Sequence, residues 1–363
     1  MLSIAARRTL APSGGARVSM WAPRSGRAAR VALFQAARND PMLRSALLAT
    51  LLAGTIAPAS AAPAHAEPLV AVYKGNGCDG RGRIPRYEGV IGRRLDGVSD
   101  FFAADSWSSM LNDAQWALGC CQGQPYRMSI GVPLIVKGSS LSAAAAGAYD
   151  EQFRKLGALL VAKGQAGAML RLGWEFNGGW YPWTARDPQA FKAAFRRIVG
   201  VLRATPSQHF SIVWNPTLGA GSTAPDMLWP GDDVVDLIGL DIYNQGWHAQ
   251  DRDPQTRWQG FLTANYGLNW LVKFSAAHGK PIVIPEWGTG TRPDGHGWGD
   301  DPQFIHNMAV WMRTHRVQFQ SYWDFTASDY DSTMSAGKFP NTLAAYLQEF
   351  GKSAHGKSAP AQR

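Results

Sequence analysis

The stretch AGAMLRLGWEFNGGWYPW, from Ala166 to Trp183, changes character halfway along. Its first residues are a short apolar run interrupted by Arg171, of a length that suits a buried strand. Its second half places Glu175 and Asn177 among Trp174, Trp180, Trp183 and several glycines. Carboxylates are almost never fully buried unless something pairs with them. Glu175, between Trp174 and Phe176, therefore needs a partner or a task. An apolar strand that ends in a polar, aromatic loop is also the unit from which a parallel barrel is built.

That unit recurs. Further runs are LVAVYKG (69–75), GVSDFFA (97–103), YRMSIGVPLI (126–135), HFSIVWNP (209–216), VVDLIGLDIY (234–243), KPIVIPEWG (280–288) and VQFQSYWDF (317–325). Helical patterns separate most of them. Residues 140–164 read as one helix capped by Ser140, and 187–204 as another with Asp187 at the N-cap and Pro188 behind it. Residues 258–279 and 301–315 read as two more. Eight strands alternating with helices predict an α/β fold, a (β/α)8 TIM barrel in a single domain. A doubly wound sheet is the runner-up. The glycine-rich GNGCDGRG after the first strand lacks the GxGxxG order, and no good helix is expected to begin inside it.

In such a barrel the chemistry sits at the C-terminal ends of the strands. Those ends carry Glu175 (fourth), Trp214 and Asn215 (fifth), Asp241 and Tyr243 (sixth), Glu286 and Trp287 (seventh), and Trp323 and Asp324 (eighth). Glu286 is the expected partner of Glu175, facing it from the opposite side of the mouth. Glycosidic cleavage needs such a pair, one acid to protonate the leaving oxygen and one carboxylate to attack the anomeric carbon. Tryptophans suit the apolar faces of sugar rings. A lone glutamate at a strand end is more often an ion-pair partner or a cap, but two flanked by tryptophan are harder to dismiss. Trp214 and Trp323, taken singly, are more often core than subsite.

Residues 1–66 hold eight arginines and one acid, Asp40. From Met42 a basic start, an apolar run and Ala64-His65-Ala66 match the layout of a secretory signal peptide. The expected organisation is an upstream extension or leader at 1–41, a signal peptide at 42–66, the barrel at 67–355 and a tail at 356–363. A twin-arginine leader at Arg7-Arg8 and a membrane anchor at 45–58 are competing readings. The full chain is +9, but beyond residue 66 it holds 28 basic against 26 acidic residues. That balance gives no support to a nucleic-acid or acidic-lipid surface. A secreted or periplasmic monomer, off the membrane after cleavage, is expected. In an exported chain Cys78 is expected to pair with Cys120 or Cys121. His248, His278, His296, His306 and His315 lack ligand spacing, so neither metal nor cofactor is expected.

The residues then carry a resemblance. The chain resembles clan A glycoside hydrolases, and among them family 26, best known for β-mannanases. That family's acid/base segment reads roughly R-x-x-H-E-x-N-G-x-W-x-x-W, against Arg171, Trp174, Glu175, Asn177, Gly178, Trp180 and Trp183 in this chain. The family's histidine before the acid/base is replaced by Trp174. The resemblance implies an acid/base at Glu175 and a nucleophile at Glu286. It also implies a tyrosine touching the nucleophile at Tyr243 and a tryptophan under the sugar at Trp323. Arg171, Trp174, Asn177, Trp180, Trp183, Trp214, Asn215, Asp241 and Trp287 join these as expected substrate-binding residues. The expected function is retaining cleavage of a β-linked polysaccharide, with Glu286 kept ionised by Tyr243 and Arg171 and the pKa of Glu175 raised. A transglycosylase acting on exopolysaccharide and a non-catalytic carbohydrate-binding protein are the rivals. Turnover separates the binder, and product length separates the transglycosylase.

Overall fold

The computed structural model describes residues 67–219 and 221–351; the expected leader and signal peptide, and the end of the chain from 352, lie outside the described residues. Eight strands form a closed parallel barrel in sequence order. They are β1 (Leu69–Tyr73), β2 (Gly97–Phe101), β3 (Arg127–Val132), β4 (Met169–Leu172), β5 (Ser211–Trp214), β6 (Leu237–Tyr243), β7 (Ile282–Gly288) and β8 (Phe319–Trp323). Each lies inside one of the eight apolar runs. Pairing of β1 with β8, from Leu69 opposite Phe319 to Tyr73 opposite Trp323, closes the ring. The fold is a (β/α)8 TIM barrel.

The helices are α1 (Gly77–Ile91), α2 (Trp107–Gly119), α3 (Leu141–Ala145), α4 (Asp150–Ala162), α5 (Pro188–Arg203), α6 (Pro254–Thr263), α7 (Leu268–His278), α8 (Pro302–Thr314) and α9 (Pro340–Phe350). Local chemistry starts α5, where Asp187 Oδ1 accepts from the amides of Gln189 and Ala190. Asp301 caps α8 in the same manner.

Three helix expectations are corrected. Residues 140–164 form two helices, because the chain turns at Gly147 with φ +90°, a conformation a side chain resists. Residues 258–279 also divide. Tyr266 is left-handed at φ 58°, and a Cβ on Gly267 would lie 2.5 Å from the Phe261 carbonyl oxygen. The third concerns GNGCDGRG, inside which α1 does begin. The amide of Gly77 donates to both oxygens of the buried Asp100, at 3.1 Å each. A carboxylate from β2 thus serves as a cap that no neighbour in sequence provides.

Inside the barrel Ala71, Met169, Val213, Leu237, Val283 and Phe319 pack as one small apolar cluster. The larger core lies between the sheet and the helices. The interior also holds polar side chains, Ser99 bonded to Ser321 at 2.8 Å, and the buried Arg171 and Asp241. Register shifts occur between Gly239 and Asp241 on β6 and between Ile284 and Trp287 on β7. Such irregularities re-aim side chains, and these two flank Glu286. Strands β4 and β7 stand three places apart in the ring rather than diametrically opposite.

Candidate active site

Glu286 is near the end of β7 and is 6% exposed. One carboxylate oxygen accepts from Arg171 Nη2, and the other accepts from the Tyr243 hydroxyl at 2.9 Å. Arg171 arrives from β4 and is fully buried. Its Nη2 also donates to Asp241 Oδ2 at 2.7 Å, and its Nε to Asn215 Oδ1 at 2.5 Å. Burial works against the Arg171 charge, but Asp241 and Glu286 outweigh it and hold the guanidinium protonated. Burial pushes Asp241 well above the usual carboxylate range, against the pull of Arg171. Burial likewise pushes the Tyr243 phenol up, with Glu286 adding to the effect, so Tyr243 stays a donor.

Glu175 is held differently. It lies three residues past the end of β4 with φ 51°, a left-handed conformation uncommon for a residue with a side chain. Its amide donates to the Asn215 carbonyl at 2.7 Å, and its carbonyl accepts from Gly178 at 2.8 Å, which fixes the turn. Strain of this kind persists only where the surroundings impose it, and it concentrates at functional sites. Trp180 Nε1 donates to Glu175 Oε2 at 2.9 Å. Burial, and then the negative charge of Glu286, push the Glu175 pKa up to about 8 against the donors Trp180 and Thr217 and the positive charge of Arg171. The two carboxyl groups thus feel one another in one cleft, one gripped by a cation and a phenol, the other desolvated.

Aromatic rings wall this cleft. Trp323 stacks on Tyr73 at 4.1 Å between ring centres and 24° between planes. It also meets Phe101 at 5.8 Å and Tyr243 at 6.2 Å. Phe101 lies against Trp174 at 5.2 Å and under the Arg171 guanidinium at 5.2 Å. Trp180 is 59% exposed beside Glu175 and offers a free ring surface.

Several expected binding residues lie elsewhere. Trp214 and Trp287 are fully buried on the outer face of the barrel. Trp214 donates to the Leu228 carbonyl and stacks on Phe274 at 5.3 Å. Trp287 donates to Gln320 and packs on Tyr322 and Tyr346. Successive residues of a strand face opposite ways, so Asn215 and Glu286 enter the barrel while their tryptophan neighbours leave it. Trp183, also buried, lies behind the site, donating to the Trp174 carbonyl at 2.7 Å and stacking on Tyr181 at 4.5 Å. Asn177 spends its amide on Thr217 and Gly219, tying the loop after β4 to the loop after β5. These four have no face for a sugar. Asn215, Asp241 and Arg171 are also fully buried and bear on Glu286 and Glu175 rather than on solvent. Trp174 is nearly buried, its Nε1 bonded to the Tyr181 hydroxyl at 3.0 Å.

Sequence reasoning missed Tyr73, Phe101 and Tyr181. Tyr73 and Phe101 are the last residues of β1 and β2, the positions from which the other candidates were chosen. It also missed Trp247, 59% exposed beyond β6 with its ring stacked on His296. Cys78 is joined to Cys120, with Cα atoms 5.4 Å apart, and Cys121 is buried and free. Among the described residues, no three His, Cys, Asp or Glu are grouped to hold a metal ion, and no helix is long and apolar enough to cross a membrane.

The model of glycosyl hydrolase family 26 matches residues 160–288, a span that runs from α4 through β7 and contains both glutamates. Endoglucanase H of Acetivibrio thermocellus is 26% identical over 190 residues, 49% of this chain and 19% of that protein. The β-1,3-xylanase TXYA of a Vibrio species is 29% identical over 121 residues, 32% of this chain and 22% of that one. The chain thus spans about a fifth of the length of these curated relatives. Among solved structures, a modular endo-β-1,4-mannanase from Cellulomonas fimi superposes with a TM-score of 0.58 at 16% identity. That match covers 82% of this chain and 76% of the mannanase, and at such identity it speaks for the fold. The family match thus falls on the strands that carry Arg171, Glu175, Asp241 and Glu286, and over that stretch of a closed eight-stranded barrel the chain is similar to glycosyl hydrolase family 26.

Proposed function

We propose that the protein is a retaining glycoside hydrolase that cleaves a β-linked glycan, with Glu286 as nucleophile and Glu175 as acid/base. The observation that carries this is the unequal environment of the two carboxyl groups. Glu286 accepts hydrogen bonds from a permanent cation and a phenol, one on each carboxylate oxygen. Glu175, with a pKa pushed up to about 8, holds a proton at neutral pH. A glycan laid between them meets an acid on the leaving oxygen and an anion below the anomeric carbon.

In the first step the Glu286 carboxylate bonds to the anomeric carbon, the glycosidic bond breaks, and the Glu175 proton goes to the departing oxygen. Esterification then removes the Glu286 charge. The repulsion that helped to raise Glu175 disappears, its pKa falls, and the resulting carboxylate takes a proton from water for the second step. The same two side chains thus set the order of their roles through one Coulomb interaction. Trp323, stacked on Tyr73, offers an aromatic face for the sugar being cleaved.

The relatives bear the names endoglucanase, β-1,3-xylanase and endo-β-1,4-mannanase, and both names that specify a linkage specify a β-linkage. The bridge from Cys78 to Cys120 supports action in an oxidising compartment, after export. The test is incubation of purified protein with β-glucan, β-1,3-xylan and β-1,4-mannan, with the first-formed product anomer read by NMR. Retained β-anomers support the proposal. Inverted products from the wild type, or no turnover of any β-glycan, would falsify it.

A further inference from the structure

A second cleft opens beside the site. It is lined by Tyr73, Gly75, Asn76, Asp79, Arg83, Trp116 and Phe325, with a volume of about 340 Å³, enough for one or two pyranose rings. It shares one aromatic side chain with the glutamate cleft, because Tyr73 lines it and also stacks on Trp323. One face of Tyr73 stacks on Trp323, and its edge meets Phe325 at 5.3 Å. Trp116 on α2 is 43% exposed, unusual for so large an apolar ring. It is seated on the backbone of Gly77 so closely that an added Cβ would lie 2.1 Å from the ring. The bridge from Cys78 to Cys120 joins the start of α1 to the C-cap of α2, four residues beyond Trp116. Cys78 Sγ also lies 3.5 Å from the Trp116 carbonyl oxygen. The ring is therefore an exposed aromatic held in place from two sides.

We propose that Trp116, with Arg83 and Asp79, forms an outer sugar subsite that binds a neutral pyranose of the glycan whose neighbouring residue rests on Trp323. Trp116 offers the stacking face. Arg83 uses one N–H on the Lys74 carbonyl, at 2.9 Å, and keeps the rest of its fork for donation. Asp79, one helical turn before Arg83, accepts. A donor and an acceptor together match sugar hydroxyls, whereas the Asp79 carboxylate repels an acidic sugar. The disulfide keeps Trp116 aligned with the Tyr73–Trp323 stack, so the subsite is pre-formed. It lengthens the glycan the enzyme recognises and gives long chains an advantage over short ones.

The proposal rests on the glycan-binding reading of the Glu175–Glu286 cleft, and its test separates the two. Hexasaccharides and trisaccharides of β-glucan, β-1,3-xylan and β-1,4-mannan are titrated calorimetrically into the Glu175→Gln protein, with and without Trp116→Ala. The ratio of hexasaccharide to trisaccharide affinity should fall about tenfold on loss of the ring. Trp116→Tyr should retain most of that ratio, which a folding defect would not allow, and Arg83→Met should lower it. An unchanged ratio in Trp116→Ala overturns the subsite and leaves the hydrolase reading intact. Hexasaccharide binding without hydrolysis by the wild type overturns the hydrolase reading alone. No hexasaccharide binding overturns both.

Discussion

Arg171 donates to the carboxylate of Glu286, joining the strand that precedes Glu175 to the strand that carries its partner. Arg171 is fully buried and its Nη2 is shared with Asp241. A buried cation between two carboxylates is stable only while all three remain, since removing one strands the others without compensation.

Arg171→Met should accordingly destabilise the barrel by about 3–5 kcal/mol, the usual cost of breaking a buried ion pair. Arg171→Lys keeps the charge but loses the fork that reaches Asn215 and the carboxylates together. Thermal melts of both variants check this, and a wild-type melt for Arg171→Met contradicts it.

The two glutamates should fail differently when removed. Glu286→Ala should abolish turnover of every substrate. Glu175→Ala should lose about 100- to 10,000-fold on glycans, the usual worth of a general acid, yet keep a measurable first step on activated aryl glycosides. Azide should restore turnover to Glu175→Ala and yield a β-glycosyl azide of retained configuration. An inverted azide product from that variant would reverse the assignment. The retaining chemistry further expects carboxyl groups about 5–5.5 Å apart when a substrate analogue is bound.

The pH dependence originates in Glu175. Its protonated form donates, so kcat/KM should decline as pH rises through about 8. The Trp180 N–H stabilises the charged form, so its bond lowers the pKa. Trp180→Phe removes that donor and should move the alkaline limb upward. Glu286→Gln removes a repelling charge and should lower the Glu175 pKa, measurable by NMR titration of the labelled carboxyl carbon. A shift of the opposite sign in either variant contradicts an electrostatic origin for the raised pKa.

The bridge from Cys78 to Cys120 closes a loop with a sequence separation of 42. A crosslink of that span should contribute about 3–4 kcal/mol through the unfolded chain. Cys78→Ser with Cys120→Ser should therefore lower the denaturation midpoint markedly. Thiol titration of unfolded, unreduced wild-type protein should count one thiol, Cys121. Three thiols would show that the bridge does not form.

Much of the fold was legible because each barrel strand is an apolar run ended by polar or aromatic residues, a pattern set by burial on both faces. The same logic located Glu175, Glu286, Tyr243 and Trp323 at strand ends, and Asp187 and Pro188 at the start of α5. What sequence left open was decided by contacts between distant residues. The start of α1 depends on Asp100, which lies 23 positions beyond Gly77. The choice of Cys120 over Cys121 depends on which side of the α2 terminus faces α1. Trp214 and Trp287 joined the expected binding residues as neighbours of Asn215 and Glu286 at strand ends, although Trp214 taken singly reads as core. Strand alternation sends each pair to opposite faces, a signal present in the sequence and outweighed by proximity. The raised pKa of Glu175 was expected from its role and its aromatic neighbours, but its causes, burial and the charge of Glu286, come from groups that only the closed barrel brings together. The chain's local pattern sets which residues reach the mouth of the barrel, and long-range desolvation and Coulomb forces set which protons they hold there.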